Sequence, residues 1–348
     1  VSSAASDVYK RQFPNNGAVF NPLKNAGNGT PPKVSLIVKQ DAGGKWRDDT
    51  GADWTPWVSG AKAGQSSRPV GWTLVDHDVA VIDANTLGVS YIDGLMNANM
   101  ALGVNPASGA VVVVGTDAIN EVRFEPIVNG KFVRVKAAFT NPSTLAVTAN
   151  VDLNSHLTYA TSSVAMSERQ KSIGDPRGIV WSADGARGYV SGMGSNNLVI
   201  IDASGTRAGL TDTIDVGEGP TGLALNTATN RLYVLNRFAG SISVVNTLTE
   251  TVVATKAFWD PTPSAIKVGR KHLFDTHATS GLGQVSCGSC HIDARMDRLA
   301  WDLGDPSGNQ KALTDLNLGA NAPQLNSGFQ PFHPMKGPMT TQTLQDII

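Results

Sequence analysis

The residues of this chain best spaced for chemistry are Cys287-Gly288-Ser289-Cys290-His291. Two thiols three residues apart share one face of a helix, so both can add to the two vinyl groups of one porphyrin. His291 follows at once and presents an imidazole nitrogen to iron. The spacing predicts a covalent haem c site, with Cys287, Cys290 and His291 binding the cofactor and His291 as proximal iron ligand. Two other chemistries use the same residues. A zinc site would take Cys287 and Cys290 with two of His272, His277, His291 and His333. A thioredoxin-like dithiol needs a βαβ setting, of which the sequence has no sign. The haem reading is preferred because five residues supply both anchors, the ligand and the orientation.

The opposite side of the iron needs its own residue. Met335 and Met339 follow His291 by 44 and 48 positions, and a thioether ligand there favours ferrous iron and raises the potential. Either is the candidate distal ligand, with His333 as runner-up. The bland alternative is that these methionines pack against the porphyrin edge. His272 and His277 read as propionate partners or surface residues. Arg270, Lys271 and Arg295 are cations of the type that pairs with propionates, although charged residues are usually solvated. Trp301 packs either on the haem or in the protein core.

Bulk composition narrows the setting. The net charge of −1 over 348 residues argues against a nucleic-acid or membrane-surface partner held by bulk charge. No apolar run has the length of a bilayer span. The chain has two cysteines, both in the pentapeptide, so no structural disulfide is expected elsewhere. Haem c is attached outside the cytoplasm, which implies a periplasmic or extracellular protein, with a redox partner protein or a second haem domain as its counterpart. Val1–Gln12 resemble a translated sequencing adapter rather than part of the fold, residues 13–32 read as a linker, and the chain reads as truncated at both ends.

The elements that must hold this site read as mainly β. Gly (36) and Pro (18) are plentiful among many Val, Thr and Asn residues, a turn-rich texture. From Pro176, the segment PRGIVWSADGARGYVSGMGSNNLVIID recurs without a gap from Pro220 as PTGLALNTATNRLYVLNRFAGSISVVN, an offset of 44 residues. Pro176/Pro220, Gly178/Gly222, Arg187/Arg231, Tyr189/Tyr233 and Val190/Val234 are identical pairs. Each copy reads as three strands joined by polar turns, the third closed by Asp202 or Asn246. Weaker copies lie at Asp78–Asp83 and at Leu102–Pro106 with Val111–Val114, and Phe132–Phe139 and Leu145–Leu153 read as further strands. A strand-only repeat of this period is the mark of a propeller blade, and residues 33–264 would supply about five. Trp46, Trp54, Trp57 and Trp72 cluster with Asp48, Asp49, Asp53, Asp76 and Asp78. The cluster reads either as a docking or carbohydrate surface or as blade packing with capped turns.

A boundary falls at Trp259–Pro263. Residues 265–303 become helix-compatible and 304–338 are rich in Gly, Pro and Asn, so residues 265–348 read as a small α-helical, cytochrome c-like haem domain after a partial propeller. The lead-in Gly269-Arg270-Lys271-His272-Leu273-Phe274-Asp275 through Ser280, Gly281 and Ser286 to the Cys pair resembles that of bacterial di-haem cytochrome c peroxidases and MauG-like proteins. His333–Leu344 resembles the segment ending the first haem lobe in propeller-fused members, and Tyr233-Val234-Leu235-Asn236 looks like the YVTN-type propeller repeat. The resemblance covers residues 33–348, with its specific motifs in 269–348. It implies an N-terminal YVTN-type propeller joined to a di-haem domain. The family's second Cys-x-x-Cys-His is absent from this chain. The resemblance therefore implies the first-haem half of a peroxidase-like oxidoreductase, in which this chain carries electrons and peroxidase chemistry belongs with the second haem. The alternative is a propeller-based binding protein with a mono-haem redox or structural module.

Overall fold

The computed structural model describes residues 37–48, 53–58, 75–119, 132–161, 163–297, 299–302 and 338–345. The chain opens with the hairpin β1 (Val38–Gln40) and β2 (Trp46–Asp48), followed by the single turn α1 (Thr55–Val58). A second antiparallel pair, β3 (Val79–Ile82) and β4 (Val89–Ile92), comes next.

Three four-stranded antiparallel meanders follow. The first is β5 (Ala98–Val104), β6 (Val111–Ala118), β7 (Val133–Asn141) and β8 (Ala146–Asp152). After α2 (Met166–Arg169), the second is β9 (Pro176–Trp181), β10 (Gly188–Gly192), β11 (Asn197–Ile201) and β12 (Ile214–Asp215). The third is β13 (Pro220–Asn226), β14 (Arg231–Asn236), β15 (Ser241–Asn246) and β16 (Thr251–Ala257). Beyond it lie α3 (Ser264–Phe274), α4 (Thr276–Thr279), α5 (Cys287–Cys290), a 3-10 turn over Ile292–Ala294, and the pair β17 (Ala300–Asp302) and β18 (Pro338–Thr340).

The sheets stack face to face as blades of a β-propeller, and side-chain alternation explains how. Successive residues of a strand point to opposite faces. On β6, Val112 and Val114 enter one core while Val113 enters another. On β10, Val190 faces the first meander and Tyr189 the third. On β11, Val199 and Ile201 take the first side, and Leu198 and Ile200 the second. A strand covered on both faces reads as a continuous apolar run rather than an alternating one, which accounts for VVVV in β6 and LVII in β11. Phe139 and Trp181 meet edge-on between the first two blades, with ring centres 6.3 Å apart. β3 and β4 cover the first meander's outer face through Val79 and Ile92.

The 44-residue repeat is exact in register. Tyr189 pairs with Val180 and Ile200, and Tyr233 pairs with Ala224 and Val244. The polar turns are equivalent too. Asp83, Asp202 and Asn246 each accept backbone N–H bonds from the turn they open, the Asx-turn device. Left-handed residues follow at Leu87, Gly205 and Glu250.

Two details differ from the sequence reading. Each blade has a fourth strand, β12 or β16, outside the aligned repeat; two residues long in one blade and seven in the next, it leaves no repeat signal. Of the span expected to supply about five blades, the described residues form three complete meanders and the two-stranded pairs β1–β2 and β3–β4.

Candidate functional site

The Cys-x-x-Cys-His segment docks on the second blade. Thr276 N–H donates to Gly194 O at 2.9 Å, and Ser172 Oγ donates to Leu282 O at 2.7 Å. His277 Nε2 lies 3.0 Å from Ser172 O, so this nitrogen carries the proton. A Cβ at Gly174 or Gly194 would stand 2.5 or 2.7 Å from the Thr276 methyl. Glycine in the blade is what allows α4 so close.

Local sequence shapes α5. Ser286 and Ser289 form a reciprocal capping box, with Ser286 N–H donating to Ser289 Oγ at 3.0 Å. Gly288 is required between the cysteines because a Cβ there would meet the Phe274 ring of α3 at 2.5 Å. Two consecutive left-handed residues, Asp293 (φ 52°) and Ala294 (φ 60°), turn the chain away after the histidine.

Both thiols are free. Cys287 is exposed, whereas Cys290 packs against the cluster of Ile37, Val133, Val285, Leu299 and Trp301. Burial pushes the Cys290 thiol well up, and the Asp297 carboxylate beside it adds to the rise. Asp297 is itself raised by burial although it accepts from Leu299 N–H and Trp301 Nε1, both at 2.9 Å.

The imidazole of His291 is oriented from the far end of the chain. Its Nδ1 lies 2.7 Å from the carbonyl oxygen of Gln342. A carbonyl only accepts, so Nδ1 donates to Gln342 O, and the bond sets the orientation of the ring as second-shell bonds do for metal-ligating histidines. The segment after β18 is held there by Thr341 N–H to Leu299 O at 3.2 Å and Leu344 N–H to Ala294 O at 3.0 Å.

A buried polar group joins this helix to the propeller. Asp175, fully buried and left-handed at φ 47°, faces the hydroxyls of Ser286 and Ser289. Burial raises its carboxyl pKa, while Arg177 and the two serines oppose the rise. Arg177 Nη1 reaches Asp293 Oδ1 at 3.2 Å.

Cys287 and Cys290 stand at the two ends of α5 and His291 follows at its C-cap, with Cys287 exposed and Cys290 turned toward the apolar cluster. Met339 is placed in β18, opposite Trp301 of β17. His333 and Met335 lie outside the described residues. Trp301 sits in the core, edge-on to Phe132 at 5.5 Å. Arg270 is engaged away from the cysteines, donating to Phe238 O at 3.1 Å and Thr262 Oγ1 at 3.0 Å. Lys271 and Arg295 are exposed. Among the described residues no three His, Cys, Asp or Glu side chains form a metal-binding group. The described part of the tryptophan cluster is packing and capping: Trp46 and Trp54 are 2% and 6% exposed, Asp53 accepts from Thr55 N–H, and Asp78 from Leu95 N–H. Trp72 and Asp49 lie outside the described residues.

Sequence reasoning missed Asp175, Arg177, Asp297 and Gln342. Only Arg177 had left a signal: the repeat places Thr221 at its equivalent position.

No family model and no curated protein matches the chain. Solved structures with detectable likeness include hydrazine synthase of Kuenenia stuttgartiensis (17% identity, TM-score 0.32, 47% of this chain and 37% of that chain). The WD40 repeats of RRP9 match at 15% identity and TM-score 0.31, over 46% of this chain and 38% of theirs. A nidogen/laminin complex matches at 12% identity and TM-score 0.36, over 53% of this chain and 57% of that one. This chain therefore spans from about a third to a little over half of the structures it is similar to.

Proposed function

We propose that this chain is an exported c-type haem protein that carries electrons, with one haem c held by Cys287, Cys290 and His291. The observation that carries this reading is the His291 imidazole. Its Nδ1–H is tied to Gln342 O one residue beyond a helix that carries two thiols outside any disulfide, Cys287 exposed and Cys290 packed inward. The donor set fits the group: two thiols for two thioethers and one imidazole for iron. Bound there, the haem supplies one-electron exchange between ferric and ferrous iron. The chain's own residues do the rest. Gln342 orients the His291 ring, Gly288 and Phe274 set the height of α5 over α3, and the Cys290 side of the helix closes against Trp301 and Leu299, which excludes water there.

The lead-in at residues 269–286 and the Tyr233–Asn236 element support a finer placement, with YVTN-type propellers fused to di-haem peroxidase-like proteins. This chain is then the first-haem half, and its partner is a redox protein or a second haem domain. Among the described residues no helix is long and apolar enough to cross a membrane.

The distal ligand decides whether the iron only relays electrons. Methionine ligation gives ferric haem c a weak far-red charge-transfer band that histidine ligation lacks. Met335→Ala and Met339→Ala, made separately in haem-loaded protein, are expected to differ. The variant lacking the ligand loses the band, drops in potential and gains cyanide affinity, and the other is unchanged. If neither changes, methionine ligation is wrong and His333→Ala becomes the decisive variant. Failure of the parent protein to undergo reversible one-electron reduction would overturn the electron-carrier reading.

A further inference from the structure

Arg177 sits where a buried cation is costly. Its side chain is 14% exposed; among the described residues Asp293 pairs with Nη1, Oδ1 at 3.2 Å and Oδ2 at 3.4 Å, and the buried Asp175 carboxylate is its other charged neighbour. Nε and Nη2 are buried without a hydrogen-bond partner. A guanidinium presents five N–H donors in a planar fork suited to a carboxylate, and a buried donor left unmade is expensive. The edge that carries Nε and one Nη donor is the edge that grips a carboxylate with two parallel bonds.

Two connections place that edge beside the haem-attachment helix. Asp293, which holds Nη1, is two residues past His291. Asp175, two residues before Arg177, faces Ser286 and Ser289 on α5. Its Oδ2 lies 3.4 Å from Ser286 Oγ, and its Oδ1 is also without a partner. The repeat adds an independent observation. Pro176-Arg177-Gly178 aligns with Pro220-Thr221-Gly222, and Thr221 is satisfied within its own blade, its hydroxyl 3.5 Å from Leu235 O. The blade does not need an arginine at this position, but the blade that carries the Cys-x-x-Cys-His segment has one.

We propose that the free edge of Arg177 binds a propionate of the haem attached at Cys287 and Cys290. The propeller is then part of the cofactor site, supplying from β9 the cation that compensates a carboxylate at the domain junction. Arg177 binds the cofactor rather than the iron. The proposal rests on the haem reading, and its test separates the two.

The protein is exported with a cytochrome c maturation system as wild type, Arg177→Gln and Arg177→Lys. The same three are made on a Cys287→Ala/Cys290→Ala background as the haem-free reference. Thermal unfolding is followed for all six, and resonance Raman spectra of the holo forms monitor the propionate bending modes. The expected result is that Arg177→Gln lowers the melting temperature of the holo protein clearly more than that of the haem-free chain. Arg177→Lys should restore part of the difference, because an ammonium makes a point contact without the fork. A propionate mode should shift in both variants. If Arg177 serves only Asp293, or Asp175 through water, holo and haem-free forms lose stability equally and no propionate mode moves. That result overturns the proposal and leaves the haem intact. Should Arg177→Gln fail to fold, an unmoved propionate mode in Arg177→Lys overturns it as well. Wild-type protein without covalent haem overturns instead the reading on which the proposal stands.

Discussion

Alanine at Gly178 is expected to destabilise the protein by about 1–3 kcal/mol, the cost of overpacking a tight contact. Alanine at Gly222, its equivalent one repeat later, is expected to be neutral or to stabilise by about 0.4–1 kcal/mol through the unfolded chain. The two glycines have the same place on the innermost strand of their blades. A Cβ at Gly178 would stand 2.4 Å from Thr221 O and 2.9 Å from Ser191 Oγ, because β13 of the next blade crosses there. Ser191 Oγ already donates to that carbonyl at 2.9 Å, so neither atom has room to yield. A Cβ at Gly222 meets only Leu235, at 3.6 Å, because no described residues cover the third blade's outer face. The same asymmetry sets the tyrosines apart: Tyr189 is 2% exposed and Tyr233 40%. Urea unfolding midpoints of the two variants measure it. Equal effects at both positions would mean that the blades do not stack as described.

Arg207→Ala is expected to cost about 3 kcal/mol, since several buried acceptors lose their donor at once. Arg207 closes the crossover between the first and second blades. Nε donates to Leu153 O at 2.7 Å, Nη1 to Lys171 O at 2.6 Å and Asp212 O at 3.2 Å, and Nη2 to Asn154 Oδ1 at 3.0 Å. Burial is deep enough to pull its pKa down to about 10. Asn154 clasps Ile173 through N–H and carbonyl, at 2.8 and 2.9 Å. The next residue back, Ser172, holds His277 and Leu282 of the cysteine segment. Loss of Arg207 is therefore expected to speed amide exchange over residues 153–175 and 276–286 before the rest of the second blade. A loss below about 1 kcal/mol, or uniform exchange, would show that the crossover is held by other contacts.

The blades were legible because a repeat writes the same local physics twice. Gly178 and Gly222, Tyr189 and Tyr233, Asp202 and Asn246 hold the same place in their blades at a fixed offset. Where a strand varies in length between copies, as β12 and β16 do, that signal vanishes and the strand emerges only in the sheet. Cys287, Cys290 and His291 stand out in the sequence because five consecutive residues carry the spacing on which the proposal rests. Residues that orient them are far apart in sequence: Gln342 is 51 positions from His291, and Arg177 is 116 from Asp293. Pairing over such separations depends on how the blade and the helix segment pack, which no local pattern encodes. Arg270 illustrates the converse. It lies close to the cysteines in sequence, yet its guanidinium is taken up by Phe238 and Thr262.

The central claim is a covalent bond, and mass measures it directly. Protein exported with a cytochrome c maturation system, denatured and washed free of loose cofactor, is expected to carry the added mass of one haem per chain. The proteolytic peptide spanning Cys287–His291 should hold that mass on both sulfurs, and Cys287→Ala with Cys290→Ala should abolish it. An unmodified chain from the same host, with zinc in the native protein, would contradict the account.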